Sequence, residues 1–330
     1  LLNQLESARP GLSPREIIEQ STCFVFKRGF VCTYNDEVAC RQKTELTYEG
    51  ALPAEPLLAV LNKLPVEYVE VKQENGELLV SDGKVRSSGI RLEDKVYLPI
   101  NKVEKPDTWK KLPDDFGDAT HIVSQCCSRD ESKFILTCVH ITPTYVEACD
   151  NVQLSRYPIK TGISECVVRA SSLKHLADMD AQAFSETKNW LHFRNKTGLF
   201  LSCRKAYEDY PNLSGILGAT GEDATLPKGL QEATQNAQVF SADNADNDKV
   251  LVDLSNKKGG LLRVTGEGVW GWYKEVKKLS YNGPALSFRI SPKLLVEITQ
   301  RHNECEVSPT RLIVNSGKFK YVTCLSKATK

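Results

Sequence analysis

"LIVNSGKFKYV", residues 312–322, predicts a strand, a tight turn and a second strand, because apolar residues alternate on both sides of Gly317. Residues 78–86, "LLVSDGKVR", repeat that order, with Gly83 at the position of Gly317. The two glycines lie 234 residues apart (317 − 83 = 234). Alternation around one glycine is common in hairpins, so the flanking residues decide whether the two stretches are copies.

The flanks agree, and a third copy lies between the first two. Each copy begins with an apolar stripe at helical spacing and continues into strands that meet at a glycine turn. The stripes are Leu57, Leu58, Leu61 and Leu64; Leu173, Leu176 and Met179; and Leu294, Leu295 and Ile298. The middle turn glycine is Gly198, which gives separations of 115 and 119 residues (198 − 83 and 317 − 198). The last stripe follows Ser291-Pro292, a helix N-cap with proline at the first helical position.

The residues before each copy also match. Each third of the chain opens with a short helix and then a hairpin of alternating residues. The hairpins are 24–36, 134–150 and 250–268, and the helices are near 1–9, 119–127 and 227–241. Asp36 and Asp150 end the first two hairpins, where aspartate usually bonds the backbone of its own turn.

Each third is therefore a helix-and-strands unit written twice, and the chain is predicted to be an α+β protein of three tandem domains. Linkers rich in Pro, Lys and Asp fall near 94–114 and 208–228, which puts the domains at 1–112, 113–212 and 213–330. A period of about 115 residues is too long for a solenoid repeat.

Composition excludes several classes of protein. The chain has 330 residues, a net charge of +1 and 11 cysteines without zinc or redox spacing. We expect reduced thiols in a cytosolic protein. No stretch approaches the roughly 20 apolar residues that cross a bilayer, and the first residues do not predict a signal peptide.

The glycines of residues 266–271, "GEGVWG", satisfy the dinucleotide-binding pattern G-x-G-x-x-G. That pattern needs a helix to follow it, whereas "VWGWYKEVKKL" predicts a strand, so residues 266–268 are interpreted as a hairpin turn. The five histidines lack metal spacing and no nucleophile elbow occurs. We therefore predict no catalytic residues, metal or cofactor, and keep a nucleotide-dependent oxidoreductase as the enzymatic alternative.

Three such domains resemble the bacterial DNA sliding clamp, the beta subunit of the replicative DNA polymerase. The similarity spans nearly the whole chain and depends on order and spacing more than on any single motif. It is clearest in "LLNQLESARPGL", "LLVSDGKVRSSGIRL", "VEACDNVQLSRYPI", "YEDYPNL" and "FKYVTCL". In this family a further strand would precede Leu1. The differences suit a divergent member, of phage or accessory type.

The resemblance implies a non-enzymatic homodimeric ring of six domains, with an outer sheet and with helices facing a hole that holds duplex DNA. Such a ring is a processivity factor of DNA replication in the cytoplasm, associated with the nucleoid. It binds the polymerase, the clamp loader and repair proteins through linear peptides. The alternative within this class is a clamp-like scaffold that does not encircle DNA.

Polar and basic residues on the predicted helices suit a protein that holds a polyanion without reading its sequence. The predicted DNA-binding residues are Arg9, Arg15, Lys63, Gln125, Lys174, Lys228, Gln235, Lys293 and Arg301.

The resemblance also implies an apolar cleft for client peptides between the second and third domains. Its predicted lining is Leu136, Cys149, Asn151, Val152, Gln153, Leu154, Pro211, Ile216, Val322, Thr323, Cys324 and Leu325. The family reads Thr-Asp-Gly-His-Arg-Leu where residues 149–154 read Cys-Asp-Asn-Val-Gln-Leu, so two cationic groups are lost and the client motif is expected to differ.

Ring closure in this family pairs edge strands from opposite ends of two chains, here near 85–92 and 273–281. The family places acidic residues on the second strand. This chain instead carries Lys274, Lys277 and Lys278 there.

Overall fold

The fold is described from a computed structural model for residues 1–64, 68–241 and 248–328. These residues form two compact units. The first comprises Leu1–Gln125, Asp130–Val146 and Ile159–Asp209, and the second comprises Cys126–Arg129, Glu147–Pro158 and Tyr210–Lys330. Both contain helices and strands, which confirms the predicted α+β class.

The described residues contain eight α-helices and 25 strands. The helices are α1 (Leu2–Ala8), α2 (Ala54–Lys63), α3 (Phe116–Ser124), α4 (Ala170–Leu173), α5 (Leu176–Met179), α6 (Ser214–Leu217), α7 (Leu230–Ser241) and α8 (Pro292–Arg301). The strands up to the middle of the chain are β1 (Cys23–Lys27), β2 (Phe30–Tyr34), β3 (Val38–Lys43), β4 (Gly50–Pro53), β5 (Glu70–Glu74), β6 (Glu77–Ser81), β7 (Ser87–Arg91), β8 (Lys110–Lys111), β9 (Cys138–Ile141), β10 (Tyr145–Cys149), β11 (Gln153–Pro158) and β12 (Cys166–Arg169).

The remaining strands are β13 (Ala183–Glu186), β14 (Trp190–Arg194), β15 (Leu199–Ala206), β16 (Glu222–Thr225), β17 (Val250–Ser255), β18 (Leu261–Gly268), β19 (Gly271–Lys278), β20 (Ser280–Tyr281), β21 (Leu286–Ile290), β22 (Glu304–Val307), β23 (Arg311–Ser316), β24 (Phe319–Cys324) and β25 (Ser326–Lys327). Short 3-10 segments occupy Arg9–Gly11, Ile100–Lys102, Glu131–Thr137 and Lys257–Gly259.

One topology occurs three times along the chain. In the first half of each copy, the first strand pairs antiparallel with the strand that leads into the second helix: β1 with β4, β9 with β12, and β17 with β21. The second half is an antiparallel meander: β5-β6-β7, β13-β14-β15 and β22-β23-β24. The repeat predicted from the sequence is thus present in the backbone pairings.

The turn glycines explain why the repeat is visible in the sequence. Gly83, Gly198 and Gly317 precede the last strand of the three meanders, with φ of +72°, +84° and +54°. Residues with a Cβ rarely adopt this left-handed conformation, so glycine recurs at the same place in each copy.

Each copy packs its helices side by side: α1 with α2, α3 with α4 and α5, and α7 with α8. The predicted stripes face the cores, because Leu57, Leu61, Leu295 and Ile298 are buried. Ser291 is the N-cap of α8 and Pro292 its first residue, as predicted.

Consecutive copies are joined by equivalent strands. We call β3, β11 and β19 the third strands of their copies, and β7, β15 and β24 the final strands. The third strand β3 pairs antiparallel with the final strand β15, opposing Ala39 and Ser202. The third strand β11 pairs in the same way with the final strand β24, opposing Leu154 and Val322. These pairings are the first seam and the second seam.

The glycine pattern at 266–271 lies in the hairpin of β18 and β19, where Gly268 opposes Gly271. The turn therefore consists of residues 269–270, and residues 266–268 end the preceding strand instead of forming the turn. The chain continues from Gly271 as a strand, so backbone N–H groups of a helix start are not presented there. A Cβ on Gly266 would lie 1.8 Å from the Ala237 carbonyl oxygen of α7. The close approach of α7 to β18 therefore requires glycine at position 266.

Gly266→Ala is expected to lower the free energy of unfolding by about 2–4 kcal/mol, because the methyl group forces α7 away from β18. Chemical denaturation measures the change. Gly215→Ala is the control, since a Cβ there meets nothing within 4 Å. Equal stability of the two variants would contradict the packing role of Gly266.

Candidate functional site

The second seam holds most of the predicted peptide cleft. Leu154 opposes Val322 and Gln153 opposes Thr323 across β11 and β24. The Cys324 N–H donates to the Val152 carbonyl oxygen at 2.8 Å, which extends the pairing to the end of β24. The seam therefore continues to the point where β24 leaves the sheet.

The turn before β11 is closed by Asp150. Its Oδ1 accepts the N–H of Val152 at 2.6 Å and of Gln153 at 2.7 Å, so the carboxylate bonds its own turn as the sequence predicts. In the first copy Asn35 makes the same two bonds, to Glu37 and Val38.

The structural equivalent of Asp150 is therefore Asn35, one residue earlier than the sequence alignment with Asp36 suggests. Asp36 has φ +74° and accepts hydrogen bonds from Tyr34 and Arg204.

Tyr210, which sequence reasoning did not single out, fixes the linker against this seam. The Cys149 N–H donates to the Tyr210 hydroxyl at 2.9 Å, and the hydroxyl donates to the Cys149 Sγ at 3.5 Å. Burial raises the pKa of Tyr210, so the phenol stays protonated. The sequence signal that could have identified this residue is the tyrosine directly before the proline in "YPNL".

An ion pair missed by sequence reasoning also fixes β11. Arg156 Nη2 lies 2.7 Å and Nε 2.8 Å from Glu147 Oε2, and the Glu147 side chain is only 2% exposed. Arg156 Nη2 also donates to Ser214 Oγ at 3.5 Å, and α6 packs on β24. The linker helix α6 is thereby held at the second seam.

Eleven of the twelve predicted cleft residues belong to the second unit; Leu136 belongs to the first, in the segment Glu131–Thr137. Five of them are buried: Cys149, Leu154, Val322, Thr323 and Leu325. Leu154 and Val322 form an apolar floor on one face of the sheet, whereas Gln153 and Thr323 lie on the other face, because side chains alternate along a strand. Asn151, Val152, Pro211 and Cys324 are exposed, and Gln153 and Ile216 are half-buried. Tyr321 OH donates to Gln153 Oε1 at 2.9 Å. The surface thus combines buried apolar side chains with an exposed rim of mixed polarity.

All nine predicted DNA-binding residues have exposed side chains. In the first unit they are Arg9, Arg15, Lys63, Gln125 and Lys174, and in the second Lys228, Gln235, Lys293 and Arg301. Arg9 pairs with Glu6 at 3.3 Å, which partly neutralises it. Arg9 and Lys174 line one depression of about 420 Å³. Arg15 lies in the loop before β1 and not on a helix, contrary to the prediction, and the others lie at or near helix termini or on exposed helix faces.

The two strands predicted for ring closure both lie at sheet edges within the described residues. β7 ends the sheet β5-β6-β7, and β19 ends the sheet β19-β18-β17-β21-β25. On β19 the residues Trp272 and Val276 are 68% and 49% exposed. The Lys277 Nζ pairs with Glu275 of the same strand at 2.6 Å. Glu275 therefore neutralises one of the three lysines of β19 within the same strand.

Within the described residues no group of three or more His, Cys, Asp or Glu side chains is placed to hold a metal. No helix there is long and apolar enough to cross a membrane.

These pairings and seams define a protein with the fold of the bacterial sliding clamps, built of three tandem domains. The solved DNA polymerase III beta subunit of Thermotoga maritima matches with a TM-score of 0.85 at 14% identity, covering 99% of this chain and 97% of that one. The beta subunit of Pseudomonas aeruginosa matches with a TM-score of 0.82 at 15% identity, with the same coverages.

The beta chain of Streptococcus pneumoniae matches with a TM-score of 0.83 at 14% identity, over 99% of this chain and 97% of that one. No family model and no curated protein matches the sequence. The likeness is therefore one of fold, and the sequence has diverged far from these clamps.

Proposed function

We propose that this protein is a non-enzymatic sliding clamp: a homodimeric ring that encircles duplex DNA and tethers a polymerase and its partners as a processivity factor. The observation that carries the proposal is the way in which consecutive copies pair at the two seams. A third strand pairs with the final strand of the next copy at both seams.

Within one chain, this pairing of third strands with final strands does not include the last third strand or the first final strand. β19 is the third strand of the last copy and β7 the final strand of the first copy, and each is an edge strand. A second chain supplies the missing partner at both ends, which makes two further seams and covers both exposed edges. Two chains of three copies then form a closed head-to-tail ring.

The charges of the closing strands suggest how they associate. Lys274 and Lys278 are exposed on β19, while Arg86 and Arg91 are exposed at or beside β7. Cross-strand ion pairs are not available to these groups, so backbone pairing and burial of Trp272 stabilise the dimer.

The DNA-facing surface of the proposed ring is formed by the paired helices. Their exposed residues include Lys63, Lys293 and Arg301 and the amides Gln235 and Asn236, which contact phosphates without selecting a base sequence. The same helices also expose the carboxylates Glu55, Asp118, Asp178, Glu232 and Glu297, which keep the attraction to phosphate weak. Few phosphate contacts give weak binding that permits sliding. The domains of the ring are 1–112, 113–212 and 213–330, and it works in the cytoplasm at the nucleoid.

Lys293→Glu combined with Arg301→Glu is expected to weaken retention on nicked circular DNA at least about tenfold at moderate salt, because two cations that face phosphate become anions. The free energy of unfolding should change little, since both side chains are exposed. Gel filtration of protein–DNA complexes measures retention.

Lys188→Glu with Lys196→Glu is the matched control. Both residues are exposed in the β13–β15 meander, away from the helices, and the change in net charge is identical. Equal loss of retention in the control would assign the effect to net charge and remove the helix face from the proposal.

Client proteins are held at the second seam by linear peptides with aliphatic and aromatic anchors. The cleft comprises the eleven predicted residues of the second unit together with Tyr210, which positions the linker. This assignment is supported by the apolar floor and by the exposed rim at Cys324.

Two measurements test the ring itself. Light scattering should give about twice the 36.8 kDa chain mass, and protein loaded on circular duplex should be retained until the circle is cut. A persistent monomer, or equal retention on open linear duplex, would overturn the ring and leave a scaffold that does not encircle DNA.

A further inference from the structure

The first seam carries a groove of its own, built at the place in the repeat that the second seam uses for its cleft. The groove has a volume of about 920 Å³ and lies wholly in the first unit. Its floor includes Ala39 and Ser202, which oppose each other across β3 and β15 as Leu154 and Val322 do across β11 and β24.

The groove opens on the face of the sheet opposite α1. Cys40 and Thr33 face that helix, because Thr33 Oγ1 donates to the Ala8 carbonyl oxygen at 2.5 Å and Cys40 is fully buried beside Thr33 and Gly11. Residues alternate faces along a strand, so Ala39 and Arg41 point the other way. The groove is therefore separate from the helix face proposed for DNA.

Apolar and aromatic side chains form its walls. Ile100 and Val103 of the first linker pack on the core cluster beneath them. On the other side Trp109 lies 5.7 Å from Phe200 between ring centroids, with the Arg194 guanidinium 4.5 Å above the Trp109 ring. This is a preformed slot wide enough for a side-chain anchor.

The rim is cationic. Lys27, Arg28, Arg41 and Lys105 line the groove, and among the described residues no carboxylate forms an ion pair with any of the four. Among the described residues that line the groove, Glu104 alone is acidic. Its carboxylate accepts hydrogen bonds from the backbone and side-chain N–H groups of Asn189.

The repeat shows that this charge is specific to the first seam. Arg156 of the second seam is neutralised by Glu147. Arg41 is the equivalent of Arg156, but the residue across from it is Cys32 in place of a glutamate. The Arg41 guanidinium instead stacks on Phe30, 3.6 Å from the ring centroid. The contact with Phe30 does not neutralise the guanidinium, so its charge is available to a ligand.

We propose that the first seam is a second peptide-binding site, which takes an acidic linear segment of a partner protein with an apolar or aromatic anchor. The anchor enters between the first linker and the Trp109–Phe200 pair, and the carboxylates bind Arg41, Lys105 and their neighbours. Burial lowers the pKa of His192 to about 4, so the floor is neutral and the cations of the rim set the charge preference. The site stands whether or not the ring forms.

Fluorescence anisotropy with three labelled decapeptides tests the proposal. All three carry a central Leu-Phe pair, and the flanking residues are Glu, Ser or Lys. The Glu peptide should bind at least about tenfold more tightly than the other two, and Arg41→Glu with Lys105→Glu should abolish that preference. Equal binding of the three peptides, or an unchanged preference in the variant, would overturn the site.

Controls separate this site from the others. Lys188→Glu with Lys196→Glu makes the same charge change outside the groove and should leave Glu-peptide binding unchanged. Cys324→Trp, at the second seam, should also leave it unchanged; loss there would move the acidic peptide to the second seam and overturn the proposal.

A labelled single-stranded oligonucleotide provides the last test. If Arg41→Glu with Lys105→Glu weakens oligonucleotide binding more than peptide binding, the groove is a nucleic-acid site and the proposal fails. Should the variants not fold, hydrogen exchange of residues 100–109 in the unaltered protein decides: slower exchange with the Glu peptide supports the site, and unchanged exchange refutes it.

Discussion

Trp272→Asp is expected to convert the protein from a dimer of about twice 36.8 kDa to a monomer and to abolish retention on circular DNA. Trp272 is 68% exposed on the edge strand β19, at the position that Leu154 occupies in the second seam. Burial of this indole in the proposed third seam makes it an anchor, and truncating such an anchor typically weakens association by about 2 kcal/mol or more.

The substitution also places a charge in a desolvated interface, so we expect at least a ~100-fold rise in the dimer dissociation constant. Analytical ultracentrifugation over a range of concentrations measures it. Because the side chain is exposed in the single chain, the thermal midpoint of the monomer should be unaffected.

Trp270→Asp is the matched control. Trp270 is 84% exposed in the two-residue turn of the same hairpin, outside the strand that pairs. It should remain dimeric. If both variants stay dimeric, β19 is not the closing strand; if both dissociate, hairpin charge and not strand pairing is responsible.

Cys324→Trp is expected to weaken binding of the Ser-flanked Leu-Phe decapeptide at the second seam by at least about 20-fold, while tight binding of the Glu-flanked peptide, dimer mass and DNA retention stay as they are. Cys324 is the exposed thiol at the end of the second seam, where its N–H already bonds Val152. An indole at this position fills the space above Leu154 and Val322 that the anchors need.

Cys324→Ser is the control, since it keeps the size and removes only the thiol. Anisotropy with the labelled peptide compares the two. Unchanged affinity in Cys324→Trp would remove the cleft from the second seam, and equal loss in both variants would assign the effect to the sulfur and not to blocked space.

The topology was predictable because its signals are local. Apolar spacing in the stripes and the glycine turns at Gly83, Gly198 and Gly317 survive divergence, since a left-handed turn tolerates few other residues. The same local pattern identified α8 from Ser291-Pro292. Order and spacing therefore indicated the fold although identity to the solved clamps is only 14–15%.

The site was less predictable because its parts meet only in three dimensions. The pair Arg156–Glu147 joins two strands, and the Tyr210 hydroxyl meets Cys149 at a sequence separation of 61 residues. Neither contact follows from apolar spacing or from a turn residue. The misalignment of Asp36 with Asp150 has a related cause: Asn and Asp both close such turns, so spacing alone could not tell Asn35 from Asp36.

The two seams have a consequence for assembly. Each chain has two different edge strands, the third strand β19 and the final strand β7. When one chain pairs with another through unlike strands, the growing assembly still exposes one strand of each kind. In the proposed head-to-tail assembly, affinity at the junction does not limit the number of subunits, and the rotation between neighbouring subunits decides whether growth stops at two. A substitution that altered the strand twist there would yield polymers of correctly folded protein.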